Sequence, residues 1–530
     1  LQFKQEMIYI LIMIAVILLG YHEIFLGADF YTYKDPLGAS NYSYGNSLGN
    51  GWRPDKAFGI SMFYADPGLW HPWSLLTFWE SLWPSQESAY NSSIILLGIL
   101  SALAVYLLLR QVVPEIGATV SCLLAPLIIF HASMGELHYA RWLIPSSIGG
   151  PLLLLVIHRF YQNPKILHLL QFGLIILLTI FLGSIVAFSD LLQLGLIFSI
   201  TYWIYYKKSL KNIAFKFLFI FFVGGISAIV LGFWEIYSIL LEKNLYEFFR
   251  VKNLALQQIQ FSEFLPNIKE FARYLWGLFQ VNPTQDNFNL LVVGLVPFYR
   301  SFNVIVIFPL ILIFFLFRHP KSFWEFSLKW MILYFYLVYG LYTIPIFHNL
   351  FDLISLKTYN IIYLPPRGHT HLFLQLALIG IFIKRIKEND YEIKQVWGKR
   401  ILLTVGCLML AYYAAWCIFC IFSIFLPGVL PGIFSSLVDQ YAPEQFSFGG
   451  EFLKELLVYV VWHNIFILQE SMRWWHTLVF FLLSVFSIIF FIKRHKYFPV
   501  ASNKLVFMVS ILVLIGILHS WSMYPLNNKP

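Results

Sequence analysis

The sequence predicts an all-α polytopic membrane protein with about thirteen transmembrane helices. Three observations carry that expectation. First, 59% of the 530 residues are hydrophobic, the mean hydropathy is +0.72 and 12% of residues are charged. A soluble domain carries about 25% charged residues. Second, the apolar residues fall in long unbroken runs. A membrane barrel would show short alternating segments, whereas each helix pairs its own backbone groups within one continuous run. Third, the basic residues sort by side. With a cytoplasmic N-terminus and alternating sides, the cytoplasmic connections hold 21 of the 36 Lys and Arg but 6 of the 27 Asp and Glu, the positive-inside pattern. The net charge of +9 then reflects topology and calls for no nucleic-acid partner.

Runs long enough to span lie near 5–22, 91–112, 116–133, 143–158, 167–187, 189–206, 214–240, 302–318, 327–347, 370–385, 399–427, 474–493 and 503–520. The shortest are candidates for broken or re-entrant helices. No cleavable signal pattern precedes the first run, which is expected to act as an uncleaved anchor. Cytoplasmic connections are short and basic. Outer ones are long, at about 22–90, 241–301, 348–369 and 428–473, and loops of that length usually carry function. The chain thus divides into a transmembrane module at 1–385 and further transmembrane helices at 386–530. Cys122, Cys407, Cys417 and Cys420 all fall inside apolar runs and are expected to be buried small hydrophobes, neither disulfides nor metal ligands.

The outer loops hold the unusual material. The first opens on Gly27, Ala28 and Asp29 and continues through Tyr31, Tyr33, Asp35 and Pro36. Acids beside hydrocarbon are costly and tend to be kept for a purpose, which makes Asp29 and Asp35 candidate catalytic residues. Up to residue 68 the loop is rich in Gly, Asn, Ser, Tyr, Asp and Pro, the chemistry of turns. Pro72 could then start a helix. Trp70, Trp73, Trp79 and Trp83 with Leu75, Leu76 and Phe78 suit either an interfacial helix or a plain aromatic belt.

The third run exits into His131, Glu136, His138 and Arg141. Glu136, His138 and Arg141 could meet Asp29 across a cavity, or could cap helices and touch lipid headgroups. The histidine spacing alone is a weak metal signal. Phe188, Ser189 and Asp190 read as a tight outer turn with Asp190 as helix N-cap. Glu235 is an acid near the outer end of the seventh run and needs a partner. Last, His348, Asp352, Arg367, His369 and His371 lead into a hydrophobic run. Arg367, beside Gly368, could clamp a phosphate with its bidentate fork. Thr370 could cap the helix, whose N-terminal amides also favour an anion. Interfacial anchoring by Arg and His is the plainer alternative.

An acid just outside the first helix, a long first outer loop with an interfacial helix, and many spans together resemble the GT-C superfamily of glycosyltransferases, and within it the YfhO-type bacterial membrane proteins. The matching stretches are Gly27 to Asp29 with its Tyr- and Pro-containing continuation, Ala65 to Trp83, Asn289 to Pro297, Ile344 to Phe351, and Tyr363 to Arg367. The resemblance covers the layout to about residue 385. It implies a GT-C-like fold in a bacterial cytoplasmic membrane with its active face outside. It also implies transfer of a sugar from a polyprenyl-phosphate donor to an extracytoplasmic glycan, lipid or protein acceptor. The first-loop acid, Asp29, would act as general base on the acceptor or help hold a divalent metal such as magnesium or manganese. Arg367 would neutralise the departing carrier phosphate, with Arg141, His138, Glu136 and His369 around it. The first loop holds no paired Asp-Asp or Asp-x-Asp motif. Two other readings stay open: a catalytically silent GT-C-like subunit of a larger membrane complex, and a lipid or solute transporter. Transporters usually show duplicated halves, and no repeat is visible here.

Overall fold

A computed structural model of the chain describes residues 2–20, 52–53, 60–61, 79, 82–83, 86–129, 145–182, 185–207, 209–231, 266, 271, 274, 308–354, 371–388, 390, 393, 395–408 and 411. These residues are helices and their connections, apart from one two-residue antiparallel ladder in the first loop. There β1 (Trp52–Arg53) pairs with β2 (Ile60–Ser61), Trp52 opposite Ser61.

The helices are α1 (Gln2–Gly20), α2 (Gln86–Val112), α3 (Gly117–Leu124), α4 (Pro145–Gln162), α5 (Ile166–Leu182), α6 (Ile185–Tyr206) and α7 (Leu210–Leu231). They continue with α8 (Phe308–Leu316), α9 (Phe323–Tyr342), α10 (Pro345–Ile354) and α11 (Leu372–Lys387), and a further helical run covers 396–408. Among the described residues, one helical stretch, Ser92–Val112, is by itself long and apolar enough to cross a membrane. The expected runs at 474–493 and 503–520 lie outside the described residues.

Three expectations are corrected. The run at 116–133 is not one helix: α3 has eight residues and sits between the 3-10 turns Pro114–Ile116 and Ala125–Ile128. Pro126 lacks the N–H that would continue the helix, and Gly117 adopts φ +81, open to glycine at little cost. The run at 327–347 is also two helices. It bends by 113° between α9 and α10. Pro345 disfavours helix at the residue before it and suits the first helical position. Finally, Asp190 is no N-cap. The helix α6 starts at Ile185, so Asp190 lies inside it, fully buried. The sequence that suits this break is Gly183 followed by Ser184, a stop and a start residue type.

Packing centres on α4, which lies against α2, α5 and α6. Close approach requires small residues. A Cβ on Gly149 would stand 2.3 Å from Thr179 Oγ1, and one on Gly195 would stand 2.3 Å from Phe221 Cζ. Hydroxyls join helices across the interior. Ser101 meets Ser147 at 2.9 Å, Tyr161 meets Ser199 at 2.6 Å and Thr201 meets Ser327 at 2.7 Å. Small residues and interhelical hydroxyl bonds are what hold helices together where burial of apolar surface cannot.

The outer surface of the bundle is apolar. Ile166, Leu170 and Leu174 on α5 are 77%, 66% and 63% exposed. They recur every fourth residue, so they form one stripe along the helix. Leu196, Ile200 and Ile204 repeat the spacing on α6, and Phe215, Leu218 and Phe222 line α7.

Candidate functional site

Side-chain contacts fix which helix ends lie together. Tyr106 and Arg110, near the end of α2, bond to Glu6 at the start of α1, Arg110 at 2.9 Å. Arg159 at the end of α4 donates to Gln111 at 3.0 Å. The His158 ring stacks on Phe323 at 5.2 Å, bringing the end of α4 to the start of α9, and Tyr205 near the end of α6 joins them. Lys384 near the end of α11 pairs with Glu115 in the turn after α2. One end of the bundle therefore collects the start of α1 and α9 and the ends of α2, α4, α6 and α11.

That end carries a buried ion network. Arg385 and Glu325 are 4% and 1% exposed and bond to each other. Arg385 also reaches Asp390 at 2.6 Å, and Arg318 and Lys321 pair with the same carboxylate. Arg318 donates further to the Asp390 carbonyl at 2.6 Å. Lys329, 6% exposed, caps the end of α8 by donating to the Phe315 carbonyl at 3.2 Å. A lysine suits a helix C-terminus, where the last carbonyls lack partners. Ser322 caps α9 by accepting from the Glu325 N–H at 3.2 Å, and Glu325 accepts from the Lys321 N–H at 3.2 Å. Two acids thus pair with three cations, and they tie α8, α9, α11 and residue 390 into one unit. At its edge, partial burial pushes the Glu115 carboxyl up. The hydrogen bond and charge of Lys384 outweigh that, so Glu115 titrates below the usual carboxylate range.

The opposite end holds a cluster of neutral polar groups among the described residues. His371, at the start of α11, is fully buried, with its ring 5.5 Å from Phe335 and 5.9 Å from Tyr339. One turn on, buried Gln375 donates to the Tyr336 hydroxyl at 3.3 Å. The Tyr274 hydroxyl donates to the Tyr336 carbonyl at 3.0 Å. Beyond the bend, the His348 ring lies 4.1 Å from that of Tyr342. These bonds fix the start of α11 and the bend in α9. His371 belongs to the candidate stretch that begins at His348, and Gln375 lies beyond it. The sign of Gln375 in the sequence is a polar amide within an apolar run, which needs an internal partner.

The candidate residues Asp29, Asp35, Glu136, His138, Arg141, Arg367 and His369 all lie outside the described residues, as do His131, Glu235 and Thr370. The helix ends that flank them are described. Residues 21–51 follow the end of α1, 130–144 lie between Ile129 and the start of α4, and 355–370 lie between α10 and His371. From the first to the last, those helices run away from the ion-paired end or return toward it. Trp79 and Trp83, from the aromatic segment, are described. Their rings are 6.0 Å apart, and Trp79 donates to Ser92 at 3.0 Å. Cys122 is buried as expected, but Cys407 is exposed on the helical run 396–408. Among the described residues no group of three or more His, Cys, Asp or Glu could hold a metal ion.

Comparisons with protein-family models, curated proteins and solved structures find no match. The functional reading therefore rests on the residues and on the two unlike ends of the bundle.

Proposed function

We propose that the chain is an integral membrane glycosyltransferase of GT-C type. It would move a sugar from a polyprenyl-phosphate donor to an acceptor at the outer face of a bacterial cytoplasmic membrane. The observation that carries the reading is the sorting of the helix ends. The basic termini gather in an ion-paired cluster at one end, while the segments that hold Asp29, Arg141 and Arg367 join helix ends directed to the other. Membrane embedding draws further support from the exposed stripes on α5, α6 and α7. Continuous apolar surface of this kind marks contact with lipid or another apolar partner.

In this reading Asp29 takes the proton of the acceptor hydroxyl as that oxygen attacks the sugar carbon bound to phosphate. The carbon–oxygen bond to the carrier breaks, and the phosphate leaves with the electron pair. Arg367 stabilises the charge that develops there, an effect that amounts to a few kcal/mol for oxyanion donors, roughly 3–4. Glu136, His138, Arg141 and His369 are the further residues that this reading assigns to orienting donor and acceptor.

The test is transfer from labelled polyprenyl-phosphate sugars in proteoliposomes, wild type beside Asp29→Asn. The amide keeps the shape and removes the base, so transfer is expected to be lost while folding is kept. Wild-type turnover in the variant would reject Asp29 as base. No transfer from either protein, over several donors with membrane extract as acceptor, would turn the reading toward a silent subunit. Arg367→Ala is expected to weaken donor binding, and unchanged donor affinity would leave Arg367 as an anchor.

A further inference from the structure

We infer that α10 lies in the membrane surface on the face opposite the ion-paired end, with its apolar flank against lipid at the headgroup boundary. The inference rests on the membrane reading above. If α9 crosses the bilayer from the ion-paired end, the 113° bend at Thr343 and Ile344 turns α10 nearly into the membrane plane. The bend is anchored from within, because the Thr343 N–H and hydroxyl both bond to the Gly340 carbonyl, at 3.2 and 2.7 Å.

The composition of α10 suits that placement. At 100° per residue, Ile346, Phe347, Leu350 and Phe351 fall on one side of the helix, within about 140° of its circumference. His348 and Asn349 take positions on the other side. One edge of the helix seats on the bundle: the rings of His348 and Phe351 both meet Tyr342, at 4.1 and 6.4 Å. The two remaining flanks are unlike. Leu350, 43% exposed, lies on the apolar flank, and exposed Asn349 lies on the polar one. A helix in water would hide the first, and a helix in hydrocarbon would hide the second. A helix at the boundary satisfies both.

The consequence is functional. Residues 355–370, with Arg367 and His369, start at the end of this helix and finish at His371. An interfacial α10 fixes the start of that segment at headgroup depth, where the phosphate of a lipid-linked donor resides.

The experiment places a diazirine amino acid at single sites of the full chain in nanodiscs of phosphatidylethanolamine and phosphatidylglycerol, and reads lipid adducts after illumination. The sites are Leu350, Asn349, the α5 stripe residue Leu174 and buried Leu153. Strong adducts at Leu174 and Leu350, with several-fold fewer at Asn349 and Leu153, are expected. Adducts at Leu174 but not Leu350 would overturn the placement of α10 and leave the membrane reading intact. Equal adducts at Leu350 and Asn349 would also overturn it, since α10 would then be immersed. An absence of adducts at Leu174 would overturn the membrane reading itself.

Discussion

The two ends of the bundle solve opposite problems with different residues. At the ion-paired end, Glu6, Glu115, Glu325, Glu388 and Asp390 each have a cation as partner. At the other end the hydrogen bonds and ring contacts described above join neutral groups: His371, Gln375, Tyr274 and Tyr336 share them among themselves and their neighbours. The difference teaches where chemistry can reside. A carboxylate already held by two or three cations, as Asp390 is, has its charge committed to structure. An acid reserved as a base must be kept out of such pairs. In the proposed enzyme that acid is Asp29.

The largest expected effect separates the two ends outright. Asp29→Asn should reduce transfer by about 10²–10⁴-fold, the usual contribution of a positioned base, with the thermal unfolding midpoint unchanged. Arg385→Leu should do the reverse. It leaves buried Glu325 without its guanidinium, and breaking a buried pair from one side costs about 3–5 kcal/mol. Unfolding in detergent would read that loss. A stability change within error would show that the network holds nothing together.

Smaller changes sharpen the contrast. Thr201→Val removes the bond to Ser327, which joins α6 to α9. Interhelical bonds of this kind average about 0.6 kcal/mol, so the same unfolding measurement should register a shift well below that of Arg385→Leu. The smallest effect concerns Glu115. Its carboxyl is held below the ordinary value of 4.5 in the folded chain. The Glu115–Lys384 pair therefore contributes fully above that value, and the contribution fades as pH falls through the lowered one. Comparing wild type with Glu115→Gln across pH 3 to 7 should show a gap that closes only at the acid end. A constant gap would mean that the charge of Glu115 plays no part.

The helical character of the described residues was legible because long apolar runs must pair their backbone internally, whatever they pack against. The basic end was legible for a related reason, since the excess of Lys and Arg in alternate connections is a property of composition. What escaped was tertiary or stereochemical. The Glu325–Arg385 pair spans 60 residues and Thr201–Ser327 spans 126, and no local pattern announces either. The 113° bend had a signal in Pro345, but the apolar run continued through it and hid the corner. Asp190 misled because aspartate favours caps, while Gly183 and Ser184 mark a better break. Of the proposed site, the sequence supplies Asp29 and Arg367 as chemistry, and the structure contributes the helix ends from which their segments depart.

The most direct test of the two-ended account is sidedness. Single cysteines are placed by Asn163→Cys, in the turn between α4 and α5, and by Ser40→Cys, in the first loop. Each is treated with a membrane-impermeant maleimide in intact cells and after lysis, against the parent chain as background. Labelling of residue 40 in intact cells and of residue 163 only after lysis is expected. Labelling of both from the same side would contradict the two-ended arrangement.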